Sequence, residues 1–186
     1  MADGSQSSIA RLKFSNFKLK TLLDITEAII SNSTVDSLLA QYQDLLENQL
    51  NIHKILIYIF QGRRWDIIIK TGVSPDDYQR IVPERDFCSI SDITVTYSSD
   101  LFKSFDYIIP VLKEGHPFAY VLIGDLDDVQ QGMAPSIKHL NFVQTLSNII
   151  IVSVENHRLM EQNMRQERFK KELEMASRMQ NMLIPK

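Results

Sequence analysis

Residues 106–125 read DYIIPVLKEGHPFAYVLIGD. Two short apolar runs, Asp106 to Leu112 and Pro117 to Ile123, flank the polar tetrad Lys113-Glu114-Gly115-His116. Runs of this length, rich in Ile, Val and Tyr and parted by a glycine-containing turn, predict a β-hairpin. Pro110 cannot donate a ladder hydrogen bond, so it marks a sheet edge or a bulge. The same pattern stands upstream. Lys54 to Phe60 and Trp65 to Thr71 flank Gln61-Gly62-Arg63-Arg64, and Gly72 ends the second run. Two hairpins place an antiparallel sheet at the centre of the fold.

Outward from the sheet the apolar period changes from two to 3.6. Leu19, Leu22, Leu23, Thr26, Ile29 and Ile30 share one face of a helix expected from about Leu12 to Ser31. Residues 1–10 read as a flexible leader. Ser33 with Asp36 resembles a capping box. Val35, Leu38, Leu39, Tyr42, Leu45, Leu46 and Leu50 then form the stripe of a second helix. Between the hairpins, Ser74-Pro75-Asp76-Asp77 opens a short helix through Ile81, and Pro83 closes it. Residues 84–104 read as irregular or weakly β. Asp125 to Gly132 is an acidic loop. A long helix starts near Met133 or Pro135 and meets no break before Ile184, where Pro185 ends it.

Helix, helix, hairpin, variable middle, hairpin, helix is an order that resembles a GAF domain. The residues that carry the resemblance are Ile109-Pro110-Val111, Tyr120-Val121-Leu122-Ile123-Gly124-Asp125 and Val154-Glu155-Asn156-His157-Arg158-Leu159, spread over Phe14 to Leu159. It implies an α+β fold: an antiparallel sheet with helices packed on one face and a long C-terminal helix acting as a coiled-coil linker. The resulting organisation is a leader over 1–10, a GAF-like sensor domain over 11–159 and a signalling helix over 160–186. A ligand pocket would lie between the sheet and the variable middle, with Tyr58, Trp65, Phe87, Tyr97 and Tyr107 as candidate walls; aromatics in such places also serve as plain core. The nucleotide-binding GAF signature is not recognisable, and no sensor ligand is named by the sequence.

Composition narrows the function classes. The chain has 186 residues, 44% hydrophobic and 23% charged, enough for one domain with extensions. A net charge of −3 gives no nucleic-acid footprint. The longest apolar run, Asn148 to Val154, is far shorter than a membrane span. Met1 to Ser8 lacks the apolar core of a signal peptide, so a cytoplasmic location is expected. The single cysteine, Cys88, excludes a disulfide framework or a cysteine zinc cluster within one chain. It reads as a buried or idle thiol. Ser89 rather than His follows it, against bilin attachment, and GAF-type methionine sulfoxide reductases use several cysteines. His53, His116, His139 and His157 have no metal-ligand spacing. Asp125, Asp127 and Asp128 lack the remaining ligands of a calcium loop. No catalytic residue and no metal ligand is nominated.

The closing helix has two halves. Ile137, Leu140, Val143, Leu146, Ile150 and Val154 suit packing on the sheet and on a second subunit. Further on, Leu159, Gln166, Leu173 and Gln180 are seven apart, with Gln162, Phe169, Ala176 and Leu183 as the companion set. Alternating apolar residues with glutamine makes a weak coiled coil. Pairs such as Glu161–Arg165 and Glu174–Arg178 add about 0.2–0.5 kcal/mol each. The expected dimer and transmission residues are Ile150, Val154, Phe169, Leu173, Ala176, Met179, Gln180 and Leu183. The last turns also carry a second resemblance. Glu172, Leu173, Ala176, Met179, Gln180, Leu183, Ile184 and Pro185 match the entry helix of RsbU/SpoIIE-type metal-dependent serine phosphatases. The match implies a phosphatase domain beyond Lys186, needing Mn or Mg and acting on a phosphorylated anti-sigma-factor antagonist. This segment would then be its non-enzymatic, homodimeric regulator, with no cofactor of its own. Two alternatives stay open: the sensor of a histidine kinase or cyclase, and a stand-alone interaction protein.

Overall fold

The computed structural model describes residues 2–31, 33–97, 99–126 and 137–183, without the side chains of 2–8, 10, 11, 126, 137–139 and 181–183. The chain forms two compact units, Met1–Ile151 and Val152–Lys186. In chain order the elements are helices α1 (Ala2–Ile30) and α2 (Val35–Asp44), a π-helical turn (Leu45–Gln49), strands β1 (Ile52–Phe60) and β2 (Trp65–Thr71), short helices α3 (Pro75–Tyr78) and α4 (Pro83–Asp86), strands β3 (Thr94–Val95), β4 (Tyr107–Lys113) and β5 (His116–Leu126), and helix α5 (Ile137–Leu183).

The sheet is antiparallel throughout, in the order β2-β1-β5-β4-β3. Both expected hairpins are present, and β1 and β5, from different hairpins, pair to form the centre. Glu114 and Gly115 take φ of 53° and 82°, the left-handed pair that a two-residue turn between Lys113 and His116 requires. Pro110 lies past the end of β3, which pairs only with Tyr107 and Ile108; a register shift follows at Val111/Leu112. Proline therefore stands where the ladder is already open. Gly72 ends β2 at φ 61°, where a Cβ would fall 2.0 Å from the His53 carbonyl oxygen.

Alternation divides the sheet into two faces. Ile55, Ile57 and Ile59 align with Ile123, Val121 and Ala119, and these with Tyr107, Ile109 and Val111. All are buried. Helical residues complete this layer: Leu38, Tyr42, Leu45 and Leu46, with Leu140, Val143, Leu146 and Ile150. The Tyr42 hydroxyl bonds to that of Ser147, which donates to the Val143 carbonyl at 2.6 Å, so these two buried hydroxyls have partners. Burial holds the Tyr42 phenol protonated well above its ordinary range.

Several local expectations need correction. Helix α1 begins at Ala2, inside the stretch read as a leader, because extending a formed helix costs far less than nucleating one. Thr34, not Ser33, caps α2, accepting from the Ser37 amide at 3.3 Å. Pro83 does not close a helix; it occupies the first turn of α4, where its missing N–H costs nothing. Of the α1 stripe read from the apolar period, Leu19, Leu23 and Ile30 are exposed, whereas Thr21 and Ile25, outside that stripe, are buried. The start of the long helix near Met133 or Pro135, the residues Asp127 and Asp128, and the Ile184–Pro185 exit lie outside the described residues.

Candidate functional site

The other face of the sheet presents Leu56, Tyr58, Ile108, Tyr120 and Leu122. The chain from α3 to β4 covers it. Ile81, Phe87, Ile90, Phe102 and Phe105 descend onto the strands, with Trp65, Val73, Tyr78 and Leu101 at the margin. Two short proline-started helices and several tight turns give this cover its shape. The capping box at Ser74 and Asp77 opens α3, with the Ser74 amide donating to Asp77 at 2.7 Å. A Ser104 hydroxyl bond also reaches Asp77 and, as the largest cause, holds its carboxyl below the usual range. The Thr96 hydroxyl donates to the Phe105 carbonyl.

Phe87 is the centre of this layer, 1% exposed. Its ring lies 4.4 Å from Tyr120, 5.5 Å from Tyr58, 5.8 Å from Phe102 and 6.5 Å from Trp65, in tilted, edge-on and stacked arrangements. Such pairs stabilise beyond their area burial. The Tyr120 hydroxyl stands 3.0 Å from the Phe87 carbonyl and 3.2 Å from that of Ile90, tying the cover to the central strand. Burial pushes the Tyr58 phenol up to about 12 and raises that of Tyr120.

Of the five expected pocket walls, Tyr58, Trp65 and Phe87 do meet. They meet as packed core, in ring contact, rather than around a space. Tyr107 belongs to the opposite face, in register with Ile123, because β4 reverses its side chains at each residue. Tyr97 is 66% exposed, outside the layer. Cys88 is exposed rather than buried; its thiol donates to the Arg85 carbonyl at 3.1 Å. Among the described residues no group of His, Cys, Asp and Glu could hold a metal.

A separate shallow cavity of about 260 Å³ opens between α3 and the 100–104 segment. Asp76, Asp77, Arg80, Asp100 and Lys103 line it, with Gln79, Leu101 and Ser104. Its charges are mixed and mostly solvated, and Asp77 is already committed to its cap. No local motif announces it, since its residues come from α3 and the 100–104 segment, more than twenty positions apart.

The long helix is continuous from Ile137 to Leu183. Ile150 and Val154, expected among the dimer and transmission residues, are buried within the chain rather than partner-facing. Glu155, 7% exposed, is held by Arg158 through two bonds of 2.8 Å. Beyond it every described side chain from Leu159 to Gln180 is exposed, including Phe169 at 63%, Leu173 at 55% and Met179 at 67%, with Ala176 and Gln180. Glu161 and Arg165 stand 3.9 Å apart, as the spacing predicts. The Leu183 side chain lies outside the described ones. No described helix is long and apolar enough to cross a membrane.

Comparison with known proteins agrees with this architecture. The GAF domain of a proposed sensor histidine kinase from Pseudomonas syringae pv. tomato superposes with a TM-score of 0.58 at 12% identity, over 83% of this chain and 97% of that one. The GAF domain of an Acinetobacter phosphoenolpyruvate-protein phosphotransferase gives 0.56 at 16%, over 77% and 96%. A GAF domain/HD domain protein from Geobacter sulfurreducens gives 0.52 at 15%, over 70% and 98%. No family model and no curated protein matches the sequence. At these identities the likeness establishes the fold: an α+β GAF fold.

Proposed function

We propose that this chain is the regulatory sensor and dimerisation module of a metal-dependent serine phosphatase in bacterial sigma-factor signalling. The observation that carries the reading is the exposed second half of α5. A helix whose early residues Leu146 and Ile150 are buried continues unbroken into a stretch bearing exposed Phe169, Leu173 and Met179. Its final turns bear the Glu172, Leu173, Ala176, Met179, Gln180 and Leu183 pattern of RsbU/SpoIIE-type entry helices. An apolar seam left in water calls for a partner, most simply the same helix of a second copy.

The glutamines at 166 and 180 weaken that seam. A weak seam shifts register or splays at low cost, so a change in the sensor domain can bias it. The module is not itself the enzyme. Catalysis, with Mn or Mg, belongs to a following domain that acts on a phosphorylated anti-sigma antagonist in the cytoplasm. The solved neighbours carry kinase, phosphotransferase and HD-domain names, and their low identity does not choose among outputs. The Glu172–Leu183 pattern favours the phosphatase.

Two tests follow. The parent reading frame beyond Lys186 is expected to encode an aspartate-rich phosphatase domain; a stop codon there contradicts the reading. In the parent protein, Gln166→Leu with Gln180→Leu is expected to lock phosphate release in one state. A response to stimulus equal to wild type contradicts transmission through this helix.

A further inference from the structure

The first half of helix α1 combines exposed apolar residues with a charge opposite to that of the chain. Ile9, Leu12, Leu19 and Leu23 are 52%, 66%, 59% and 63% exposed. At 3.6 residues per turn they fall within an arc of about 80°, in a stripe about 20 Å long. The opposite side is occupied: Thr21 and Ile25 are buried, and the Phe17 ring meets Phe142 at 6.2 Å. Lys13 and Lys20, both exposed, line one shoulder of the stripe. Lys18 lies over the rings of Phe14 and Phe142, at 4.5 and 5.4 Å. With Arg11 they give residues 8–23 four positive charges and no negative one. The chain has 20 Lys and Arg in all, so 16 remain elsewhere against 23 Asp and Glu. Asp24 and Glu27 follow at once and close the basic stretch.

We propose that this face docks on an anionic lipid surface, with the helix axis in the plane of the membrane. Charge complementarity selects that occupant. A basic amphipathic helix binds such a surface by sinking its apolar side chains to the headgroup boundary while its cations meet lipid phosphates. Lys13 and Lys20 stand where their stems can run beside the stripe and their ammonium groups stay at headgroup level. Asn16, exposed in the middle of the stripe, keeps the insertion shallow, because its amide must remain in reach of water or headgroups. No described helix is long and apolar enough to cross a membrane, so the contact is peripheral. Because α1 is already held as a helix by its inner side, docking avoids the ordering cost that a free peptide meets at an interface. The inference stands apart from the function proposed for α5, whose apolar residues it does not use.

The test sediments the full 186-residue chain, in a Cys88→Ser background, with vesicles of about one-third phosphatidylglycerol in phosphatidylcholine and with pure phosphatidylcholine. We expect binding to the anionic vesicles, at least about tenfold weaker on the neutral ones, and falling steeply as salt rises from about 0.05 to 0.5 M. Lys13→Gln with Lys20→Gln should weaken it about tenfold. Leu19→Glu with Leu23→Glu should weaken it at least about a hundredfold. Circular dichroism and melting should be unchanged in both variants, since all four side chains are exposed. An environment-sensitive dye on Asn16→Cys should shift to the blue on anionic vesicles. Phe169→Glu with Leu173→Glu should leave binding as it was. No binding, or binding indifferent to the α1 substitutions, overturns the proposal. Loss of binding with the α5 variant moves the membrane contact to that helix and overturns it as well. So does a Leu19→Glu, Leu23→Glu chain that changes its own sedimentation mass while vesicle binding stays, for the face then belongs to a second copy.

Discussion

Phe87 and Phe169 mark two regions with the same chemistry and opposite fates. Phe87 is 1% exposed among four other rings, and its layer is complete within one chain. Phe169 is 63% exposed on α5, with Leu173 and Met179 near it in the same condition. The sheet face where a GAF-type pocket would lie is closed by its own side chains, whereas the helices hold apolar surface in reserve. In this molecule, recognition is therefore expected at helical surfaces, and the aromatic face is expected to supply stability.

The strongest break of that contrast is Phe87→Ala. Removing a buried ring in contact with four others should cost about 3–5 kcal/mol, seen as a lower denaturant midpoint with an unchanged slope. A loss below about 1 kcal/mol would mean that the face has slack and is a pocket after all. Arg158→Ala leaves the buried Glu155 carboxylate without its two bonds and should cost about 1–3 kcal/mol. Alkaline pH acts on the closed face, as it does on the buried Tyr42 of the other face. Below about pH 10 the Tyr58 phenol is neutral in both folded and unfolded chains. Above it the unfolded chain releases a proton that burial keeps on the folded one up to about 12. Stability should thus fall as pH rises from 10 to 12, and Tyr58→Phe should flatten that slope in urea titrations. The smallest effect belongs to the open region: Phe169→Ala should change monomer stability by no more than about 0.5 kcal/mol. A large loss there would show that the residue is already packed.

Much of this organisation was legible from residue patterns. Both hairpins, the order of elements and the continuity of the long helix follow from period and turn chemistry, and Trp65–Thr71 was bounded to the residue. Faces were harder. Helix α1 has apolar residues on two sides, and periodicity records a stripe without saying whether it meets the core or the solvent. Phe17, Thr21 and Ile25 won the inner side; Leu19, Leu23 and Ile30 did not. Tyr107 was placed in the aromatic layer by residue type, but strand alternation puts it with Ile109 and Val111. Ile150 and Val154 were expected to serve a partner surface as well as packing within the chain, and both are buried. Proline at 83 reads as a terminator because proline as a residue type suits both the exit of one helix and the first turn of another.

The contrast itself can be read in one measurement: hydrogen exchange of the intact chain by mass spectrometry, at protein concentrations from about 0.5 to 100 µM. Peptides covering β1, β5 and the 81–90 segment should be protected equally at every concentration, because their layer is complete in one copy. Peptides from 159 to 180 should exchange rapidly when dilute and gain protection as concentration rises. Equal, fast exchange of 159–180 throughout would contradict a partner-seeking helix. Slow exchange there even when dilute would contradict the division between a finished face and an open one.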